Sequence, residues 1–170
     1  IKNIDIAYCV FGYLGENDES FSEWSEAEKI IMTNYVGAVS ILNKISKKFI
    51  ENKKGIIVGV SSVAGERGRM SNFIYGSAKA GFTTYLSGLR NYLYDHNIHV
   101  LTVLPGFMRT KMITNIKTPQ ILTADPSKAA FRIINAVEKK KNIIYVLGIW
   151  KYIMLIIKNI PENIFKKLSL

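Results

Sequence analysis

Residues 55–61 read GIIVGVS and residues 98–104 read IHVLTVL. Both runs are short, continuously apolar and rich in β-branched residues, the composition of strands buried on both faces of a parallel sheet. Between them, residues 73–96 place apolar or small side chains at helical spacing and stop before Asn97. A strand, a crossover helix and a second strand make a βαβ unit. The same alternation extends in both directions. Upstream, residues 4–10 (IDIAYCV) read as a strand, followed by a loop holding Gly12 and Gly15. A helix capped by Ser22 or Ser25 then runs to about Ile50, with Glu23, Glu26 and Glu28 in its first turns, where the helix dipole favours acids. Downstream, Asp125-Pro126 marks a helix start reaching about Lys140, and residues 142–147 form the last strand. Four strands with crossover helices predict an α/β fold: a Rossmann-like, doubly wound parallel sheet with helices on both faces.

Composition agrees with a single globular unit. The chain has 170 residues, 48% of them hydrophobic and 21% charged, which excludes a disordered tail. Its single cysteine, Cys9, forms no intramolecular disulfide and builds no cysteine-based zinc site, which favours a reducing, cytoplasmic setting. Residues 1–10 lack the basic region and cleavage site of a signal peptide, and Ile1 reads as an interior residue of a longer chain. The net charge is +10, and residues 138–170 contribute seven lysines against two acids, half of that surplus. No zinc-finger spacing, aromatic RNA-binding motif or dense arginine run accompanies the charge, so nucleic acid is not an expected partner.

Ligands of open α/β sheets bind beyond the carboxyl ends of the strands. Gly12, Ser61-Ser62 and Pro105-Gly106 all fall at such ends, so three separate loops converge on one crevice. Tyr75 and Lys79 lie one turn apart on a single helix face. An ammonium beside a phenol favours phenolate and is expected to lower the tyrosine pKa, as proton transfer to a carbonyl requires. Ser62, thirteen residues before Tyr75, is placed to point its hydroxyl at a substrate oxygen.

These residues resemble the short-chain dehydrogenase/reductase family: Ser61-Ser62-Val63-Ala64-Gly65, then Tyr75-Gly76-Ser77-Ala78-Lys79-Ala80-Gly81, then Pro105-Gly106 with Thr110. The resemblance implies an NAD(P)H-dependent ketoreductase. Tyr75 would be the catalytic acid, Ser62 would orient the carbonyl, and Lys79 would hold the nicotinamide ribose. Asn34 matches the family's helix asparagine that supports a proton-relay water. Gly12, Pro105, Gly106 and Thr110 would touch the cofactor with Tyr75 and Lys79, and no metal is implied. The complete protein would be a homo-oligomer. Two departures accompany the match. Cys9-Val10-Phe11-Gly12 stands where the family writes Asn-Asn-Ala-Gly, and no glycine-rich pyrophosphate turn precedes it. On this reading residues 1–170 are the C-terminal two-thirds of one domain, lacking its N-terminal strands, and the first strand has lost its outer neighbour.

A narrower resemblance within the family points to reductases of a 2-keto sugar carried on a polyprenyl phosphate. It rests on Phe11-Gly12-Tyr13-Leu14-Gly15, Ala64-Gly65-Glu66-Arg67, Ser71-Asn72-Phe73-Ile74-Tyr75-Gly76-Ser77 and the tail segment at 160–168. A generic soluble keto substrate is the alternative, and so is a non-catalytic remnant. The tail, residues 148–170, is basic and aromatic, with helices expected at 150–158 and 161–168. Residues 143–157 hold one lysine in fifteen positions, too few residues to span a bilayer as a helix. Two readings of these helices stand. Either they lie at the inner face of the cell membrane, with Trp150, Lys151, Lys158, Lys166 and Lys167 toward lipid, or they pack on the domain or on a dimer partner.

Overall fold

The computed structural model describes residues 4–114 and 116–169. Ile1 and Leu170, the two ends of the expected domain, lie outside the described residues. Strand β1 spans Ile6–Cys9, and after the glycine loop come α1 (Asn17–Ser22) and α2 (Trp24–Ile31). The helix continues through a π-helical stretch, Met32–Gly37, into α3 (Ala38–Asn52). Then follow β2 (Gly55–Val60), a 3₁₀ turn at Val63–Gly65, α4 (Phe73–Tyr92) and β3 (Ile98–Leu104). Two short strands, β4 (Phe107–Met108) and β5 (Thr123–Ala124), precede α5 (Pro126–Glu138), β6 (Ile143–Tyr145), α6 (Ile149–Asn159) and α7 (Glu162–Phe165).

The main sheet has the order β1-β2-β3-β6 and every pairing is parallel. Alternation along the strands sends side chains to two cores. Ala7, Cys9, Ile57 and Val100 pack under α3 and α4 against Leu42, Phe49, Phe82 and Leu86. Val58, Leu101 and Val103 face the other way, onto Ala129, Ala136 and Val137 of α5. Burying several such side chains at roughly 1.5–3 kcal/mol each fixes which face each helix covers. A third cluster, Val63, Leu104, Trp150 and Met154, closes the carboxyl end of the sheet with α6.

The four expected strands and both helical faces are present. The differences are local. The helix that follows the glycine loop is divided: α1 is separate, and the residue before α2 is Glu23, not Ser22 or Ser25. Neither serine caps a helix: Ser25 lies inside α2, and Ser22, the last residue of α1, turns its Oγ back to donate to the carbonyls of Asp18 and Glu19 at 3.1 and 3.2 Å. The pair β4–β5, parallel and two residues long on each side, had no periodicity by which to be seen. Trp150 is not on the surface; it is 4% exposed, its Nε1 donates to the Leu122 carbonyl at 3.1 Å, and its ring meets Phe107 edge-on. An indole near a chain end reads as amphipathic from sequence, yet here it fills the gap beside Pro105-Gly106.

Candidate active site

Ser61 and Ser62 extend β2 past its last paired residue. Ser61 Oγ donates to the Lys79 carbonyl at 2.9 Å and shares a 2.7 Å hydrogen bond with Thr83 Oγ1, clamping α4 to the strand end. The backbone there is tied to β3 as well: Ser61 N donates to the Val103 carbonyl at 2.9 Å and Val63 N to the Pro105 carbonyl at 3.0 Å. Ser62 adopts extended backbone angles, and its Oγ accepts from the Ala64 amide at 3.1 Å, starting the 3₁₀ turn. Strand, turn and helix are thereby fixed relative to one another.

Ser62, Tyr75 and Lys79 line one cavity of about 590 Å³, together with Gly12, Pro105, Gly106 and Thr110. Lys79 is 3% exposed, and its Nζ donates to the Val60 carbonyl at 3.2 Å. Burial pulls the Lys79 ammonium down to about 8, only partly opposed by the Cys9 thiol nearby. Its Nζ stands 5.8 Å from the centre of the Tyr75 ring. The expected lowering of the tyrosine is not found. Burial pushes the Tyr75 phenol up to about 12, and the hydrogen bond with Ser62 only partly offsets it. At this separation, desolvation of the phenolate outweighs the lysine charge.

Asn34 does not line the cavity. It is 1% exposed within the π-helical stretch, a feature common at functional sites. Its Nδ2 donates to the carbonyls of Tyr13 and Ile30 at 2.6 and 2.8 Å, and its Oδ1 accepts from the Tyr13 amide at 3.2 Å. The side chain therefore holds the glycine loop in place. Between it and the cavity stands Gly12. A Cβ there would lie 2.9 Å from Asn34 Oδ1 and 3.3 Å from Lys79 Nζ, so only glycine leaves both groups undisturbed. A Cβ on Gly106 would likewise fall on the Trp150 indole.

The structure adds residues that sequence reasoning missed. Asn17, Arg69, Asn72 and Trp150 also line the cavity. For Arg69 and Asn72 a signal existed, because they lie in the segment joining Ser62 to Tyr75, whose two ends both enter the site. Asn17 carries no such mark. It reaches the cavity because α1 docks on the loop, with Asn17 Nδ2 donating to the Met70 carbonyl at 3.2 Å. Among the described residues no group of three or more His, Cys, Asp or Glu side chains could hold a metal ion, and no helix is long and apolar enough to cross a membrane.

The arrangement has the fold of known enzymes. It superposes on a short-chain dehydrogenase of Burkholderia cenocepacia in complex with NADP with a TM-score of 0.84, at 21% identity, over 99% of this chain and 70% of that one. A 3-oxoacyl-(acyl-carrier protein) reductase of Brucella melitensis in complex with NAD gives 0.75 at 20% identity, over 86% and 66%. In sequence, the chain is 30% identical over 165 residues to an uncharacterized oxidoreductase of Mycobacterium tuberculosis, covering 97% of this chain and 66% of that protein's length. The short chain dehydrogenase family pattern matches residues 2–121, which include the glycine loop, the serine turn, Tyr75, Lys79 and Pro105-Gly106. On that match, over more than two thirds of its length, the chain belongs to the short-chain dehydrogenase family.

Proposed function

We propose that this protein is an NAD(P)H-dependent ketoreductase with Tyr75 as its general acid. The observation that carries the reading is the convergence of Ser62, Tyr75 and Lys79 on one cavity at the carboxyl ends of β2 and β3. The residues fit a nicotinamide cofactor. Lys79 uses one N–H on Val60, which leaves two donors of a buried ammonium for the hydroxyls of a ribose. Gly12 keeps the space beside that ammonium open, and Pro105, Gly106 and Thr110 line the same cavity. When bound, the reduced cofactor supplies the hydride that attacks the carbonyl carbon.

The chain's own residues govern the oxygen. Ser62 Oγ donates to the carbonyl oxygen and holds it against Tyr75. The Tyr75 hydroxyl gives its proton to that oxygen as the carbonyl becomes an alcohol. The phenolate left behind is stabilised by the Lys79 ammonium and recovers a proton from solvent. A phenol near 12 is fully protonated at neutral pH, the form an acid needs, and a lysine near 8 still carries its charge there. Asn34 acts on this chemistry by fixing the loop that carries Gly12.

The substrate we infer is a 2-keto sugar on a polyprenyl phosphate, because the motifs in the glycine loop, the 64–77 segment and the tail resemble decaprenylphosphoryl-2-keto-erythro-pentose reductase. The tail surface supports delivery from a membrane: Tyr152, Leu155, Ile156 and Ile164 are exposed among Lys151, Lys166 and Lys167. Such a surface suits the interface with anionic lipid.

The test uses the full gene product. Tyr75→Phe should reduce NADPH-dependent ketone reduction by about 10²-fold or more while NADPH still quenches protein fluorescence. Most activity remaining in the variant would show that Tyr75 is not the acid. For the lipid surface, sedimentation with anionic vesicles at low salt should be lost when Lys151, Lys166 and Lys167 become glutamate.

A further inference from the structure

Gly12, Leu14 and Gly15 line the cavity, whereas the side chain of Tyr13 between them turns onto α2. Its backbone amide and carbonyl are both held by Asn34. The phenol is held separately. Tyr13 Oη donates to Glu26 Oε1 at 2.6 Å and accepts from Lys29 Nζ at 3.0 Å, and that Nζ lies 4.1 Å from the centre of the ring. Chemistry fixes the direction of both bonds, because an ammonium only donates and a carboxylate only accepts.

Glu26 depends on this phenol. The residue is buried, and Lys29, itself exposed, stands 3.8 Å from its other oxygen. A carboxylate withdrawn from water needs close hydrogen bonds to offset its desolvation, and among the described residues Tyr13 supplies the short one. The same Oε1 bounds the loop a second time. A Cβ on Gly15 would lie 2.7 Å from it, and Gly15 has a φ of +68°, the left-handed region that favours glycine. Glu26 therefore meets the loop on both sides of Leu14. Asn34 grips it at residue 13 alone, which leaves a pivot there. The bond at the far end of the Tyr13 side chain removes that pivot.

We infer that Tyr13 and Glu26 are positioning residues for the cofactor pocket: their hydrogen bond sets the backbone of residues 12–15 and, through Gly12, the space beside Lys79. The fit is close, since a methyl group at Gly12 would already lie 3.3 Å from Lys79 Nζ. A loop displaced by about 1 Å changes what that lysine can reach. The inference rests on the ketoreductase reading for what the pocket holds, but the clamp on the loop is defined without it.

The experiment uses the full gene product and measures NADPH affinity by fluorescence quenching, together with amide exchange at residues 11–15 without ligand. The urea midpoint serves as a control for the whole fold. Tyr13→Phe removes one oxygen, and Glu26→Leu removes its acceptor. Each should weaken NADPH binding about tenfold and raise exchange at 11–15. In both, kcat at saturating NADPH should stay within about twofold of native. Glu26→Gln, whose side-chain carbonyl still accepts from the phenol, should keep near-native affinity. Combining Tyr13→Phe with Glu26→Leu should weaken binding no further than either alone, because one shared contact is lost. Native affinity in both Tyr13→Phe and Glu26→Leu overturns the proposal, even if the urea midpoint falls, since the pair would then serve stability alone. Equal losses in Glu26→Gln and Glu26→Leu also overturn it, by tracing the effect to charge. If the native protein fails to bind NADPH while exchange at 11–15 rises in Tyr13→Phe and Glu26→Leu but not in Glu26→Gln, the clamp is upheld and the ketoreductase reading is rejected.

Discussion

Arg67 Nη1 donates to the carbonyl of Lys158 at 2.8 Å, joining the turn behind Ser62 to the end of α6. The same nitrogen reaches the Ile160 carbonyl at 3.1 Å, and the guanidinium lies 4.0 Å from the centre of the Phe165 ring. One cation therefore satisfies carbonyls left open at a helix C-terminus, complements its dipole and seats α7. The tail is thus anchored to the segment that carries the site.

Arg67→Ala should lower stability by about 1–3 kcal/mol, since it leaves those carbonyls without a donor. Urea unfolding measures this, and amide exchange in α7 should rise at the same time. Glu162→Ala is the contrast: its ion pair with Arg67 at 2.8 Å is exposed on the carboxylate side and contributes at most about 1 kcal/mol. Equal effects of the two substitutions would mean that the ion pair, not the carbonyl contacts, holds the tail.

Gly12→Ala introduces a methyl group between Asn34 Oδ1 and Lys79 Nζ. The expected loss is about 1–3 kcal/mol from overpacking, with weaker binding of the proposed NAD(P)H cofactor in the full gene product because the lysine is displaced. A variant with native stability and native cofactor affinity would show that the loop gives way freely there.

Lys79 makes stability depend on pH in a defined direction. Its folded pKa, about 8, lies below the ordinary 10.5, so between those values the unfolded chain binds more protons than the native one. Stability from this group therefore rises with pH across that window, by up to about 3 kcal/mol, and the burial penalty is complete below 8. Tyr75 acts in the opposite sense above pH 10, where the unfolded phenol ionises first. In Lys79→Met the rise should vanish, so the stability advantage of the variant over the native protein shrinks from pH 8 to 10. Parallel curves for the two proteins would rule out a buried, destabilised ammonium.

Trp150→Ala should reduce stability by about 3–5 kcal/mol, the range for removing a large buried aromatic. Before that, acrylamide quenching can separate the two indoles. Trp24 is 70% exposed and should be quenched readily, whereas Trp150 at 4% should be protected. Uniform quenching would place Trp150 at the surface, where an interfacial role would put it.

The sequence by itself determined the parallel sheet, because apolar runs at 55–60 and 98–104 are joined by a long helical pattern, and a strand–helix–strand crossover places them side by side and parallel under a layer of helices. It also determined that Tyr75 and Lys79 share one helix face, since i, i+4 spacing is local geometry, and that Ser62 stands at a strand end. Only the tertiary structure decided their electrostatics. Whether Lys79 lowers the Tyr75 pKa depends on a 5.8 Å separation and on burial, neither of which is set by spacing along the chain. The same holds for Trp150, which is buried because Gly106, forty-four residues earlier, leaves it room. Asn17 and Arg69, fifty-two positions apart, meet at one cavity for a similar reason: α1 docks on the loop that follows Arg67. Periodicity records which face of an element is buried; which side chains that burial leaves without partners is fixed only when the elements pack.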